Sequence, residues 1–396
     1  MELSNSNESQ TSASALSKWR PFPTGTTLAD NITGWLFISP AVLVIFIFGM
    51  FPIGYAIYMS LHRWRIRKGG FLGLENYTDV VGDWRGAGLF VLGFVVMYGA
   101  YWAWNNALRR YEDRQQYIRW LAALVILGVG MYVISIGWTL MMAEGDDDFL
   151  RGLTITFWFA FASIPVQIAL ALILAYVLYQ KIKGKKFLQL IFFLPYIAPD
   201  IAMAVVFRII FGPGPSSLAN QFLGVFGVEP LGWVSEPEPL FNVIFGTNLE
   251  GFIAGPSLAL FSVILLGIWK YVGYNAVIFL AGLGSVPKDL YEAARVDGAS
   301  EWHLFRYITI PLISPVTFYL AILGFIGTFQ AFNTIFAMRT PFARDSMDVA
   351  SIVIFDTFYK SSRYGLASAQ AIVLFLIILS MTAAFRNIFG KRVFYG

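Results

Sequence analysis

Long apolar runs separated by short polar segments dominate the chain. A helix needs roughly 20 mostly apolar residues to cross a bilayer core, and these runs are continuous rather than alternating, which favours helices over a β-barrel. The pattern predicts about eight membrane helices, at 34–61, 86–105, 120–142, 154–179, 187–211, 257–283, 316–338 and 367–389. We therefore expect an all-α, polytopic membrane protein, preceded by a polar tail at 1–33 whose composition is typical of a disordered cytoplasmic segment.

Composition supports this expectation and excludes several kinds of chemistry. Hydrophobic residues make up 57% of the chain and charged residues 13%, against about 25% charged in a typical soluble domain. The chain contains no cysteine, which excludes disulfides, thiolate catalysis and cysteine metal sites. Its two histidines leave little for imidazole chemistry. We expect no catalytic residues, no metal site and no nucleic acid partner; the partner implied by composition is the lipid bilayer.

The distribution of basic residues predicts the orientation, because cytoplasmic segments carry an excess of Lys and Arg. With the amino terminus inside, the cytoplasmic segments hold sixteen such residues and the outer segments ten. Four of the outer ones follow the first span directly and depart from the rule, namely Arg63, Arg65, Arg67 and Lys68. We expect a multi-pass protein of the cell (cytoplasmic or inner) membrane with both termini in the cytoplasm.

A polar segment at 286–311 interrupts the apolar runs and has helix-terminating signals of its own. Pro287 can start a helix, because its missing N–H would have no helical partner there, and Gly298 supplies the left-handed conformation that commonly ends one. Ser300 is a suitable N-cap for a second short helix, which we expect to stop before Pro311. The segment is predicted to form a rigid helix–turn–helix between two membrane spans.

This segment closely resembles the cytoplasmic signature of binding-protein-dependent ABC importer permeases. Glu292-Ala-Ala is followed by three residues, Gly298, nine residues and Ile308-Thr-Ile310-Pro311, with Ile310 in place of the usual Leu. In that family the element is the coupling helix, which sits in a cleft of the cytoplasmic ATPase subunit. The resemblance implies that the coupling residues of this chain are Glu292, Ala293, Ala294, Asp297, Gly298 and Pro311.

Further matches extend the resemblance over 151–386, the expected type I ABC importer permease core, with 86–142 as an inserted helical hairpin of unknown role. Asp297-Gly-Ala followed by Trp302 and Phe305 resembles the carbohydrate branch of the family, of the maltose, oligosaccharide or glycerol-phosphate type. The resemblance implies a second homologous permease, two cytoplasmic ATPase subunits and an external solute-binding protein as partners. Since the phosphate-loop pattern is absent from the sequence, we expect no cofactor here. ATP and Mg²⁺ would bind to the partner ATPase, and this chain would not be an enzyme.

Polar side chains at membrane depth usually face a bundle interior or an aqueous cavity. Residues of this kind in the sixth and seventh predicted spans are candidates for a substrate path, and related sugar permeases place their site midway across these two spans: Lys270, Tyr271, Tyr274, Asn275, Thr328, Gln330 and Asn333. Tyrosines can stack on a sugar ring, although ordinary packing explains them equally well. Interhelical hydrogen bonding is an equal alternative for the two amides in the seventh span.

Three alternatives remain beside a carbohydrate importer. An ion-coupled secondary transporter should show interrupted helices, acidic residues at the midplane and an inverted repeat, and none of these is evident in the pattern. A membrane enzyme would need His and carboxylate clusters. The same family with a glycerol-phosphate or polyol cargo would give Lys270 a role, because a cation at depth could meet an anion.

The outer segment 212–256 is expected to carry a short amphipathic helix that serves as a lid or as a docking surface.

Overall fold

Helices account for nearly all of the structure, as the sequence predicts. A computed structural model describes residues 28–110, 114–180 and 182–390. Six of its helices are long and apolar enough to cross a membrane, and two bent pairs of helices bring the number to as many as eight. The expectation of an all-α membrane protein with about eight spans is confirmed.

We number the spans in chain order. Spans 1 to 8 are Ile32–Ser60, Trp84–Asn106, Tyr117–Glu144, Asp147–Tyr179, the bent pair Lys185–Ile197 and Asp200–Ile210, Leu258–Ser285, the bent pair Glu301–Leu312 and Ser314–Phe329, and Tyr364–Phe389. The helices containing spans 2 and 3 are longer than the spans themselves and run over Trp84–Arg110 and Arg114–Glu144.

Short elements connect the spans. Between spans 1 and 2 lie an antiparallel strand pair, His62–Trp64 and Lys68–Phe71, and the helix Glu75–Val81. The segment between spans 5 and 6 contains Leu218–Gly224, Trp233–Ser235, Leu240–Phe245 and Gly251–Ala254, so the predicted short helix there is confirmed. Lys288–Val296 lies between spans 6 and 7, and Asn333–Met338, Arg344–Met347 and Ala350–Tyr359 lie between spans 7 and 8.

The described residues divide into two compact units, one ending at Ala56 and the other beginning at Ile57. In the first unit, the helix Leu28–Ile45 continues through a π-helical turn at Phe46–Met50, and large apolar side chains such as Phe37 are exposed, as a lipid-facing helix requires. The expected disordered tail at 1–33 falls mostly on residues 1–27, which lie outside the described residues. Its last six positions are helical, because hydropathy marks the membrane-embedded part of a helix and not its first residue.

Spans 4, 6 and 7 form the packed centre of the second unit. Span 4 begins at an N-cap formed by Asp146, whose carboxylate accepts from the backbone N–H of Phe149 at 3.0 Å. Farther along, small residues at 171 and 175 allow close packing against large side chains of the neighbouring spans, in a cluster of buried residues comprising Ala171, Ala175, Ala276, Phe279, Leu283, Ile313 and Leu320. This packing holds the helices on either side of the polar segment 286–311.

Span 5 is broken, although we predicted one helix at 187–211. Its two halves meet at 96°, and Ala198 between them is extended, with φ −65° and ψ 141°. Pro199 is the physical reason, because the residue before a proline is disfavoured in the helical region. An interrupted helix is one feature that the secondary-transporter alternative requires, and here the structure corrects the sequence analysis.

Span 7 also differs from the prediction, because its helix ends at Phe329 rather than at 338. The hydroxyl of Thr328 bonds back to the carbonyl oxygens of Gly324 and Phe325 at 2.9 and 3.0 Å, which competes with continued helical pairing. The backbone then leaves the helical region at Phe332, with φ −138° and ψ −63°. A new short helix starts at Asn333, so the apolar run continues while the helix does not.

Glycine allows close approach of neighbouring helices at several places, and two of them show it most clearly. In the hairpin of spans 2 and 3, a Cβ added to Gly137 would lie 2.5 Å from the backbone nitrogen of Phe90. Where span 6 crosses the first half of span 5, a Cβ added to Gly273 would lie only 1.6 Å from the carbonyl oxygen of Phe192. The backbones of spans 5 and 6 are therefore in direct contact at Gly273.

Replacing Gly273 with Ala should separate these two helices. Overpacking of a well-packed site costs about 1–3 kcal/mol, and here the obstacle is backbone, which cannot rotate away. We expect Gly273→Ala to lower the melting temperature of the purified chain by several degrees. Gly284 lies in the same helix with nothing within 4 Å of an added Cβ, so Gly284→Ala is the matched control. Equal melting temperatures for the two variants would contradict the crossing.

Candidate functional site

The first half of the polar segment 286–311 forms the helix that the sequence predicts. It runs over Lys288–Val296, with Pro287 at the N-cap position and Asp297 at the C-cap. Gly298 follows with φ +81°, a conformation that side chains with a Cβ rarely adopt. Ser300 then caps the next helix, accepting from the backbone N–H of His303 at 3.4 Å. Each of these terminating signals is confirmed. We call residues 286–311 the signature loop.

The signature loop presents its motif outward. Glu292, Ala293, Asp297 and Gly298 are exposed, and Ala294 is half-buried. Val296 on the same helix is 88% exposed and adds an apolar side chain to this surface. A small, partly apolar surface with acidic residues beside it is suited to binding another protein.

The second half of the signature loop continues past the proline that we expected to end it. The helix Glu301–Leu304 passes through a π-helical turn, Phe305–Thr309, into Ile310–Leu312. Pro311 lies in the first turn of that last element and is exposed. The wider π-helical turn directly before Pro311 accommodates the proline, which has no N–H to donate to the preceding turn. The hydroxyl of Thr309 also donates to the carbonyl oxygen of Leu304, five residues earlier, at 3.2 Å.

Three of the candidate path residues gather around the break in span 5. Lys270 is buried and ion-paired with Asp200, the first residue of the second half of that span. The rings of Tyr274 and Tyr196 stack, with centroids 4.1 Å apart and planes at 18°. Tyr271 meets the same Tyr196 edge-on at 5.8 Å. The result is an aromatic cluster beside a neutralised charge pair, formed by the facing helices of spans 5 and 6.

The other four candidates differ in burial and in position relative to the span helices. Asn275 in span 6 is buried. Thr328 is buried too, and its hydroxyl bonds within its own helix. Gln330 and Asn333 are exposed and lie beyond the end of the span 7 helix, where we had expected both to lie within it; Asn333 instead begins the short helix Asn333–Met338. The structure therefore joins the two tyrosines and Lys270 into one cluster and places the two amides elsewhere.

Sequence analysis did not include Asp200 or Tyr196 among the candidates. A signal was present. Asp200 and Lys270 are opposite charges in facing apolar spans, and charges at membrane depth pair with one another. Pro199 immediately before Asp200 also marked the break that brings the carboxylate to Lys270.

A second set of charges, also missed, lies between spans 7 and 8. Arg339 contacts Asp348 at 2.9 Å and Asp356 at 3.3 Å, and Lys360 contacts Asp356 at 2.7 Å. Burial raises the pKa of Asp348 above its usual value against the pull of Arg339 and Arg344. Burial would also raise the pKa of Asp356, but Lys360 and Arg339 outweigh it and hold that pKa below its usual value. These pairs fix the segment that leads from span 7 to the helix Ala350–Tyr359.

The fold and the signature loop together define a helical membrane transport component. The family described as "binding-protein-dependent transport system inner membrane component" matches residues 167–395. This match covers more than half of the chain and includes the signature loop. The chain belongs to this family, and it is a multi-pass inner membrane protein. The family resemblance drawn from Glu292 to Pro311 is confirmed.

Similar proteins are permeases of sugar transport systems. The chain is 29% identical over 234 residues to the trehalose/maltose transport system permease protein of Thermococcus litoralis, a match that covers 59% of this chain and 72% of that protein. It is 26% identical over 372 residues to the arabinooligosaccharides transport system permease protein of Bacillus subtilis, covering 93% and 90%. Among solved structures, a bacterial alginate ABC transporter in complex with an alginate pentasaccharide-bound periplasmic protein matches with a TM-score of 0.53 and 21% identity, covering 72% and 96%. The last match supports the fold.

Removing one partner of the Asp200–Lys270 pair should leave a buried charge without compensation. The cost is about 3 kcal/mol, at the low end for a buried pair, because 35% of the Asp200 side chain is exposed. We expect Asp200→Asn to lower the melting temperature in nanodiscs, and Asp200→Asn combined with Lys270→Met to recover much of the loss. The exposed Asp147–Arg151 pair is the control, and Asp147→Asn should have almost no effect. A double variant no more stable than Asp200→Asn would contradict the pairing.

Proposed function

We propose that this chain is the translocating subunit of an ABC importer that passes an uncharged oligosaccharide or glycoside from an external binding protein to the cytoplasm. The observation that carries the proposal is the signature loop, an exposed and rigidly terminated helix with the family motif complete at Glu292, Ala293, Ala294 and Gly298. Because the chain belongs to this family, its general function is transport. The identity of the cargo and the coupling role of the loop are our proposals.

The signature loop is suited to receiving force from a partner. Ala293 is small and allows close approach, while Val296 gives an apolar contact on the same helix. Rigidity comes from the left-handed Gly298 and the Ser300 cap on either side of the turn. We propose that the ATPase subunit binds this surface and that its ATP-driven closure displaces the loop, with each conformation of the span bundle favoured by its own contacts.

The proposed assembly contains this chain, a second homologous permease, two cytoplasmic ATPase subunits and an external solute-binding protein. ATP and Mg²⁺ would bind to the ATPase subunits, so this chain would hold no cofactor and catalyse no reaction. The signature loop and both termini would face the cytoplasm, in accord with the larger number of basic residues on that side.

Two features support an uncharged carbohydrate as cargo. The similar permeases are named for trehalose/maltose and arabinooligosaccharides. Aromatic rings suited to stacking on a sugar gather at Tyr196, Tyr271 and Tyr274, while the ammonium of Lys270 is already neutralised by Asp200. That pairing disfavours the glycerol-phosphate alternative, in which Lys270 would have to bind an anion. The broken span 5 is shared with some secondary transporters, but the family match favours the importer.

The coupling role can be tested in the complete complex with its own partner subunits in nanodiscs. We expect ATPase activity to rise when a sugar-loaded binding protein is added, and Gly298→Asp to abolish that rise while the complex still assembles, because a side chain with a Cβ strains φ +81° and a carboxylate alters the docking surface. Gly184 is the matched control. It has φ +78° and open space around it, and it lies between spans 4 and 5, outside the signature loop.

Gly184→Asp should therefore retain the stimulation. Activity that ignores every loaded binding protein, in the wild-type complex as in Gly298→Asp, would contradict the proposed function. Equal losses in the two glycine variants would show that backbone strain, and not the signature loop, is responsible. A panel of neutral and anionic saccharides in the same assay identifies the cargo class.

A further inference from the structure

One carboxylate connects the signature loop to span 4. The Oε2 atom of Glu301 accepts a hydrogen bond from the hydroxyl of Tyr176 at 3.1 Å. Its Oε1 atom accepts from the guanidinium of Arg295, from Nη2 at 3.1 Å and from Nε at 3.3 Å. The two oxygens of one side chain are therefore shared between two helices that are far apart in the sequence.

Each donor lies in the last turn of its helix. Arg295 is the next-to-last residue of Lys288–Val296, the helix that carries the family motif. Tyr176 lies three residues before the end of span 4 at Tyr179. Glu301 itself is the first residue after the Ser300 cap. The contact thus joins the end of the motif helix, the start of the second half of the loop and the end of a membrane span.

Aromatic packing supports the same junction. The ring of Tyr176 meets Phe305 at 4.8 Å and 62°, and Phe305 in turn lies 5.9 Å from Trp302. Within the loop, the hydroxyls of Tyr291 and Thr309 are 3.1 Å apart, which ties its two halves together. A displacement of the motif helix is therefore passed to the whole loop, and the loop has a direct contact with span 4.

Span 4 is a suitable element to carry that displacement onward. It is 33 residues long, about 50 Å at 1.5 Å per residue. At its other end, Asp146 accepts a hydrogen bond from Gln370 of span 8 at 2.9 Å. The hydroxyl oxygen of Thr156 accepts from the backbone N–H of Ala350 at 3.0 Å. One helix therefore contacts the signature loop near one end, and span 8 and the helix Ala350–Tyr359 toward the other.

We infer that Glu301 is a positioning residue that links the movement of the signature loop to span 4 through Tyr176. The inference rests on the proposed function and adds the route by which the loop acts on the bundle. The side chains of Glu301 and Arg295 are 65% and 54% exposed, so water screens the ion pair and its loss should not unfold the protein. Its effect should appear in the coupling between ATP hydrolysis and transport.

Tyr176→Phe removes only the hydroxyl and keeps the ring on Phe305. In the reconstituted complex we expect the number of solutes transported per ATP hydrolysed to fall about threefold, as the loss of one weak charged contact permits, with assembly and melting temperature unchanged. Tyr179 is one turn onward in the same helix, and its hydroxyl forms no hydrogen bond among the described residues. Tyr179→Phe is therefore the matched control and should transport as the wild type does.

Glu301→Gln keeps an acceptor for Tyr176 but removes the charge that holds Arg295. Because both contacts belong to one side chain, we expect the double variant with Tyr176→Phe to be no worse than the more impaired single variant. Losses that multiply would mean that the two residues act independently, and would overturn the inference.

The outcomes separate this inference from the proposed function. If the wild-type complex shows no stimulation by any loaded binding protein, the proposed function fails and the inference fails with it. If the wild type is stimulated but Tyr176→Phe transports as many solutes per ATP as Tyr179→Phe, the proposed function stands and the inference is overturned. A fall in transport accompanied by an equal fall in assembled complex would also overturn it, because the contact would then be only structural.

Discussion

Every polar group that enters the hydrocarbon core must find its partner within the protein, and much of this fold follows from that constraint. Backbone groups are satisfied within helices. Span 5 breaks at Pro199, and other parts of the protein pack against this break. Asp200 pairs with Lys270, and Gly273 allows the backbone of span 6 to approach Phe192. The break is therefore an ordered feature, and it forms the place where aromatic and charged side chains meet.

The same constraint separates two kinds of surface. The charges of Lys270 and Asp200 neutralise each other within the bundle, whereas Glu292 and Asp297 of the signature loop are exposed. A neutral cluster with partly accessible tyrosine rings is compatible with an uncharged solute, and an exposed rigid helix is compatible with a protein partner. Span 4 packs against spans 6 and 7 through Ala171 and Ala175, and its end reaches Glu301.

Sequence analysis predicted most of the fold because the dominant signals are long and local. Apolar runs gave the number of spans, and Gly298 and Ser300 gave the ends of the loop helices. The prediction of the helix bounds failed where an apolar run continues but the helix does not. The apolar runs at 187–211 and 316–338 are continuous in hydropathy, yet Pro199 breaks one helix and the other ends at Phe329.

The candidate site was predicted only in part, for a different reason. Tyr271 and Tyr274 were identified from their place in a span, but their partner Tyr196 lies in another helix, about 75 residues earlier in the sequence. Likewise, Glu301 resembles any exposed carboxylate until the structure places Tyr176 beside it. Contacts between distant helices depend on how the helices cross, and no local pattern encodes that crossing.

The proposed contact between the signature loop and a cytoplasmic ATPase can be tested by site-specific cross-linking. The natural sequence has no cysteine, so a single Ala293→Cys provides a unique thiol, and Val225→Cys in the segment between spans 5 and 6 provides an exposed control. In the assembled complex we expect a cross-link from Ala293→Cys to the ATPase subunit and none from Val225→Cys. Labelling of Ala293→Cys by an impermeant thiol reagent added outside intact cells, with no cross-link to the ATPase, would contradict the account.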